Sequence, residues 1–261
     1  MGSASRTALA TGIAALASAK GVTLATGEEL LAAARAIDGS AQLRSLLADT
    51  TLEARDREAL VTRAFGLLGA TTTALLGGLA ASRWSNPHQL VDGVEEIGIR
   101  AIAASADSDI IGEIFEVERA VASDAQLELA LGSKLAPADT KAAVVSSLLA
   151  KNGSPATTAI VRHLVQSPRG RRIGGLLRSA AEIVADVTGG VIATVTVAAP
   201  LTAAQQDSLT ADITARFGKA PRIQYLTDPS VIGGVRVRVG DTVIDGTIAS
   251  RLAELRLRLA G

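Results

Sequence analysis

The sequence predicts an α plus α/β chain: an N-terminal all-α helix bundle, read as two related units, followed by a small β-α-β-β-α domain. Three observations carry this reading. Apolar residues recur three and four apart from the N-terminus onward, and no period-two alternation precedes Val191. Alternation then starts at Val191–Val197 and returns at Val235–Val239, the mark of half-buried strands. Finally, Ala41-Gln42-Leu43 recurs as Ala125-Gln126-Leu127, opening a weak self-similarity that runs in order for about sixty residues, as a duplicated structural unit does. The units are placed at 1–108, 109–188 and 189–261.

In chain order, residues 5–20 form the first helix, with Leu9, Ile13 and Leu16 on one face. A second helix opens at Gly27-Glu28-Glu29 and ends near Asp38-Gly39, and shorter helices follow at 43–47, 52–65 and 72–81. Gly and Pro punctuate the connections, which favours an all-helical bundle. From Ala64 to Ser82 no residue is charged, close to the length of a membrane span. Four glycines and Thr71-Thr72-Thr73 weaken that reading. The duplication weakens it further: Leu47 corresponds to Leu131, Gly69 to Gly153, Leu79 to Leu164 and Glu96-Ile97 to Glu182-Ile183, and the second copy of the slot carries Lys151, Arg162 and His163. A buried helix pair is therefore expected.

Charge splits the middle of the chain. Residues 85–139 hold eleven acidic and three basic side chains, and residues 142–181 hold six basic and none acidic. The expectation is two solvated faces that attract each other, the alternative a basic patch at 162–178 that docks an acidic partner. Trp84, the sole tryptophan, reads as a packing anchor and His163 as a satisfied helical histidine.

The C-terminal unit begins at Gly189-Gly190. Val191–Val197 is its first strand, Thr202 and Gln205 form a capping box for a helix reaching Phe217, and Ile223–Leu226 gives the next strand, parallel to the first. Val235, Val237 and Val239 point to one face of the following strand, Arg236 and Arg238 to the other, and Gly240-Asp241 turns the chain into a hairpin. Asp245-Gly246-Thr247 closes the hairpin and caps a last helix with Ile248, Leu252, Leu255 and Leu259 on its apolar stripe.

Composition excludes several classes of function. The 26 basic residues balance 26 acidic ones and only five residues are aromatic, which argues against a nucleic-acid binder. Without cysteine and with two histidines, thiolate and multi-histidine metal sites are out of reach, and no cofactor is expected. There is no Walker loop, dinucleotide glycine fingerprint or nucleophile elbow. Asp228, Asp241 and Asp245 stand where turns and caps use them. The chain is not expected to be an enzyme, and no export signal is apparent.

The run Asp228-Pro229-Ser230-Val231-Ile232-Gly233-Gly234-Val235-Arg236-Val237-Arg238-Val239-Gly240-Asp241, followed by Val243-Ile244-Asp245-Gly246-Thr247 and Arg251-Leu252, resembles the C-terminal signature of the delta subunit family of bacterial F-type ATP synthases, relatives of the mitochondrial oligomycin-sensitivity conferring protein. The extra length, the abundant alanine and the repeat are similar to the long actinobacterial forms. The resemblance implies a non-catalytic stator link of the peripheral stalk, on the cytoplasmic face of the plasma membrane and touching it only through the complex. It implies a helical bundle that grips the N-terminal helices of the alpha subunits and a C-terminal domain that contacts the C-terminal region of the b subunits.

In such a bundle the groove lies between the first and fifth helices. The first copy, preferred because its opening helix is whole, offers Leu9, Ile13, Leu16, Leu75, Leu76 and Leu79, and the second offers Ile160, Leu164 and Val165. The family signature rests on Asp228, Gly233, Gly234, Gly240, Asp245 and Gly246. Arg236 and Arg238 are the candidate b-subunit contact. The rival reading is a cytoplasmic nucleic-acid-binding or regulatory protein using the 162–178 patch, whose signature would be salt-sensitive binding.

Overall fold

The computed structural model describes residues 1–133, 136–240 and 242–248. Packing divides the chain into Met1–Val184 and Ala185–Gly261, so the expected border near residue 108 falls inside the first unit. That unit is built from α1 (Ser3–Ser18), α2 (Leu24–Gly39), α3 (Ala41–Leu47), α4 (Ala54–Phe65), α5 (Ala70–Ala81), α6 (Pro87–Ala104), α7 (Ile110–Ser123), α8 (Ala125–Gly132), α9 (Ala138–Leu149), α10 (Pro155–Gln166) and most of α11 (Ile173–Val187).

One expected boundary is corrected. α2 starts at Leu24, a turn before Gly27, because Thr23 and Thr26 satisfy each other's backbone N–H groups in a capping box. Gly27 serves packing instead. A Cβ there would stand 2.8 Å from the carbonyl oxygen of Gly98, and one on Gly98 would stand 2.8 Å from Leu31 Cδ2, so the two glycines let α2 and α6 cross with backbones nearly touching. Around this pair the core gathers Leu16, Leu30, Ile37, Leu47, Val61, Leu76, Leu79 and Ile97. Each such side chain taken from water contributes roughly 1.5–3 kcal/mol.

The uncharged stretch at 64–82 resolves into the end of α4, a turn and α5, and among the described residues no helix is long and apolar enough to cross a membrane. Arg57 ties this corner together from a buried position. Its guanidinium donates to the carbonyls of Ala80 and Ala81, left over at the end of α5, and to those of Asp49 and Leu52 before α4.

The repeat extends further than the sequence comparison. Carried 85 residues forward, α1 to α6 fall in turn on α6 to α11, and α5 lands on α10 at both ends. α6 thus closes the first set and opens the second. The hydrogen bonds repeat as well. Glu29 accepts from Gly69 N–H and from the Thr72 hydroxyl at the start of α5, and Glu113 accepts from Ser154 N–H at 2.8 Å and the Ser154 hydroxyl at 2.7 Å at the start of α10. In each set a carboxylate from the second helix caps the fifth.

The second unit holds β1 (Val191–Val197), α12 (Ala203–Phe217), β2 (Pro221–Thr227), β3 (Val235–Val239) and β4 (Thr242–Asp245). Both arms of the hairpin are strands, so the described part reads β-α-β-β-β. The sheet order is β2-β1-β3-β4, with β1 parallel to β2 as expected and antiparallel to β3. Thr202 and Gln205 make the expected capping box, and α12 stops where Gly218 turns left-handed at φ +67°. Val195, Val197, Val237 and Val239 pack with Ile213 on one face of the sheet. The register sets Arg236 opposite Thr196 and Arg238 opposite Thr194 on the other. Asp241, Arg251, Leu252, Leu255 and Leu259 lie outside the described residues.

Candidate functional site

The first candidate is the trough between α1 and α5. A cleft of about 420 Å³ opens there, lined by Ala15, Ala19, Lys20, Ala70, Ala74 and Leu75. Of the six expected groove residues, Leu75 alone reaches this lining. Leu9 and Ile13 are half-buried against the core, and Leu16, Leu76 and Leu79 belong to it. The floor is mostly alanine, which leaves room for another helix to come close and carries almost no periodic hydrophobic signal. Alanines at i and i+4, such as Ala70 and Ala74 or Ala15 and Ala19, are the signal that could have found it.

Carried 85 residues forward, to α6 and α10, the trough lining falls on Arg100, Ala104, Ser105, Pro155, Ala159 and Ile160, where Arg100 stands for Ala15, is buried and pairs with Glu96 at 2.8 Å. Ile160, Leu164 and Val165 are all buried at 1% exposure or less. A charged cluster lies further along these two helices, at the positions that Ala10, Gly78, Trp84 and Asn86 hold in the first set. Glu95 Oε2 accepts from His163 Nε2 at 2.9 Å and Arg169 Nη2 at 2.6 Å, and Glu95 Oε1 accepts from Arg171 Nη2 at 3.0 Å. Arg169 also reaches Asp92 at 2.7 Å.

On the far side of the ring, Arg35 Nη1 lies 2.8 Å from His163 Nδ1. A guanidinium can only donate, so Nδ1 accepts and the proton sits on Nε2, facing Glu95. Burial first, and the neighbouring Arg35 and Arg169, depress the His163 pKa against the pull of Glu95 and keep the ring neutral. For Glu95 burial would raise the pKa, but the hydrogen bond from His163 and the charges of Arg169 and Arg171 prevail and hold it at about 2.

Arg169 stands 85 residues after Trp84, and the two do corresponding jobs. Trp84 donates to Leu79 O at 2.7 Å and lies against Gly93 of α6, where a Cβ would enter the indole. Arg169 adopts φ +47°, alone among described non-glycine residues in the left-handed region, and sends its guanidinium to the same helix. The strain, on the order of 1–2 kcal/mol, is offset by its paired carboxylates.

The charge split is thereby explained and the rival reading corrected. Within the basic stretch at 162–178, Arg169 binds Asp92 and Glu95, Arg171 binds Glu95, and Arg178 binds Glu118 at 2.7 Å, while Arg162 and Arg172 are exposed. Three of the basic side chains are thus engaged by acidic ones from the preceding segment, which takes them from any nucleic-acid contact.

In the C-terminal unit the signature residues hold backbone together. Gly233 and Gly234 take φ +61° and +82°, and a Cβ on Gly234 would strike the carbonyl of Gly246 and stand 2.8 Å from Thr247 Cα. Gly246 N–H donates to Val235 O at 2.9 Å and Ile248 N–H to Gly233 O at 3.3 Å, so the two segments lie side by side. Asp228 accepts from the N–H and hydroxyl of Ser230, and Asp245 from those of Thr247, which lowers both carboxyl pKa values. Gly240 turns the hairpin at φ +54°. Arg236 is tethered to Asp245 at 3.2 Å, Arg238 donates to Gly240 O at 3.1 Å, and both are exposed. Among the described residues no group of His, Cys, Asp and Glu is arranged to hold a metal ion.

Comparison with known proteins meets this geometry. The family model for the ATP synthase delta (OSCP) subunit matches residues 101–259. The ATP synthase subunit delta of Leifsonia xyli subsp. xyli is 47% identical over 264 residues, covering the whole of both chains. That of Streptomyces griseus subsp. griseus is 36% identical across 86% of this chain and 85% of its own, and that of Salinispora arenicola 37% identical across 84% and 82%. The chain belongs to the ATP synthase delta (OSCP) family: it is a non-catalytic subunit of the peripheral stalk of the F-type ATP synthase.

Proposed function

We propose that this subunit links the catalytic head to the membrane-anchored part of the stator, with the α1/α5 trough taking an N-terminal helix of an alpha subunit and the polar face of the β2-β1-β3-β4 sheet taking the C-terminal region of a b subunit. It works on the cytoplasmic face of the plasma membrane, held there by the complex, and resists rotation of the head. The helical part is read as two six-helix sets, corresponding to the expected units around 1–108 and 109–188, that share α6.

The observation carrying the head contact is the contrast between equivalent clefts. The family match begins at residue 101, near the end of α6, and covers α7 to α11, which taken alone favours the second set. There Arg100 takes the place of Ala15, buried and paired with Glu96 at 2.8 Å, and an apolar helix face entering would have to strip that ion pair. The α1/α5 trough is open and floored with alanine, with Lys20 at its rim. It suits an amphipathic helix laid in by its apolar face, with an acidic residue near Lys20. On the sheet, the exposed guanidiniums of Arg236 and Arg238 support an acidic b-subunit segment.

A stator link must hold both partners at once. Sedimentation of the full chain with an alpha N-terminal peptide and a soluble b C-terminal fragment is expected to give a ternary complex, and reversing both charges (Arg236→Glu with Arg238→Glu) to remove b while alpha stays bound. Mutually exclusive binding of the two partners would overturn the reading; unchanged b binding after the double reversal would remove the arginines from it.

A further inference from the structure

α2 and α10 face each other across a cleft of about 150 Å³ that is lined, among others, by Glu28 and Arg35 from one helix and Arg162, His163 and Gln166 from the other. Two guanidiniums enter it, and among the described residues neither has a carboxylate within 4 Å. Arg35 makes its one hydrogen bond to His163, and Arg162 makes none. Elsewhere the chain treats structural arginines differently: Arg169, Arg171 and Arg178 each meet an acid, and Arg57 meets four carbonyls. Burial, together with repulsion from Arg162, lowers the pKa of Arg35, so the pair is held at an electrostatic disadvantage.

The arrangement is also fixed in place. His163 is locked by Glu95 as the acceptor for Arg35, so that guanidinium is aimed before any ligand arrives. Its remaining N–H donors, those of Arg162 and the amide of Gln166 are left for the cleft. Glu28 at the border brings the lining to one net positive charge, with Arg35 and Arg162 against it and His163 neutral.

We propose that this cleft binds one small oxyanion of the phosphate class between Arg35 and Arg162. Planar guanidinium forks match the oxygens of such an anion. The volume lies below the roughly 300–1,000 Å³ of sites that enclose drug-sized ligands, so the site takes the oxyanion and not a whole nucleotide. The bound anion bridges α2 of the first helical set to α10 of the second and stiffens the bundle where the two sets meet. A partner's carboxylate offers related chemistry, and the test separates the two sources.

The full chain is titrated calorimetrically with inorganic phosphate and, separately, with acetate, both against chloride at matched ionic strength. The same titrations are run on Arg162→Gln, an exposed position whose replacement relieves the repulsion on Arg35 and leaves the unliganded melting temperature at or above that of the parent chain. Saturable phosphate binding is expected, weakened about tenfold or more in Arg162→Gln, as losing a charged hydrogen bond implies. Binding of acetate but not phosphate would overturn the phosphate class in favour of a carboxylate, and equal binding by both proteins, or no binding of either anion, would overturn the site.

Discussion

Replacing Glu95 with Gln keeps the shape and an acceptor for His163 Nε2–H, and removes the charge that Arg169 and Arg171 share. The fold lowers the Glu95 pKa from 4.5 to about 2, and at about 1.4 kcal/mol per unit this represents about 3 kcal/mol of stability. The side chain is only 9% exposed, so screening by solvent takes little from that figure. Removing one partner from a buried ion pair typically costs about 3–5 kcal/mol, and the retained acceptor places Glu95→Gln at the lower end.

The sign of the pH dependence follows. Because the folded pKa is depressed, the contribution is complete above about pH 4.5, the unfolded value, and is lost as pH falls toward 2. His163, also depressed when folded, is pulled up by Glu95 and so would not cancel in the difference; both proteins are therefore compared in a His163→Gln background, where the imidazole is absent. Urea unfolding followed by the fluorescence of Trp84, which reports on the helical unit, is expected to shift by about 1 M or more at pH 7. The gap should shrink to less than half by pH 3. A gap under about 1 kcal/mol at pH 7, or one that stays constant down to pH 3, would refute the assignment of the cluster as a stabilising ion-pair network.

Gly234→Ala places a methyl group against the Gly246 carbonyl at φ +82° and should destabilise the C-terminal unit by about 2 kcal/mol or more, read from the amide-exchange rates of β3 and β4; wild-type protection there would contradict the close-approach role of the signature glycines. Arg57→Met leaves the carbonyls of Ala80, Ala81, Asp49 and Leu52 without their shared donor, and the Trp84-reported transition should fall by about 2–4 kcal/mol; a loss below about 1 kcal/mol would show that water replaces the guanidinium there.

Elements with strong local chemistry were legible in the sequence. Alternating valines and arginines gave β3 with its two faces, and the Thr202–Gln205 pair gave the start of α12 to the residue. The fold class followed from where alternation begins. What escaped depended on partners distant in sequence. The onset of α2 rests on a Thr–Thr exchange that propensity does not signal, and the burial of Arg57 and Glu95 is visible only once four helices converge. The lining of the open α1/α5 cleft was not legible because leucine marks a buried face, and of the expected groove residues Leu75 alone joins the alanines that line it. The doubled role of α6 was hidden because its identity as the last helix of one set masks its place as the first of the next.

The central claim is that the head contact uses the first of two repeat-related clefts, and Ala74 of α5 and Ala159 of α10 occupy equivalent positions in the two. Calorimetric titration of an alpha-subunit N-terminal peptide into the full chain, into Ala74→Glu and into Ala159→Glu tests it directly. The account predicts that Ala74→Glu weakens binding at least about tenfold, by setting a charge in the apolar floor, while Ala159→Glu binds as the wild type does. Loss of binding in Ala159→Glu with none in Ala74→Glu would contradict it and move the head contact to the second set.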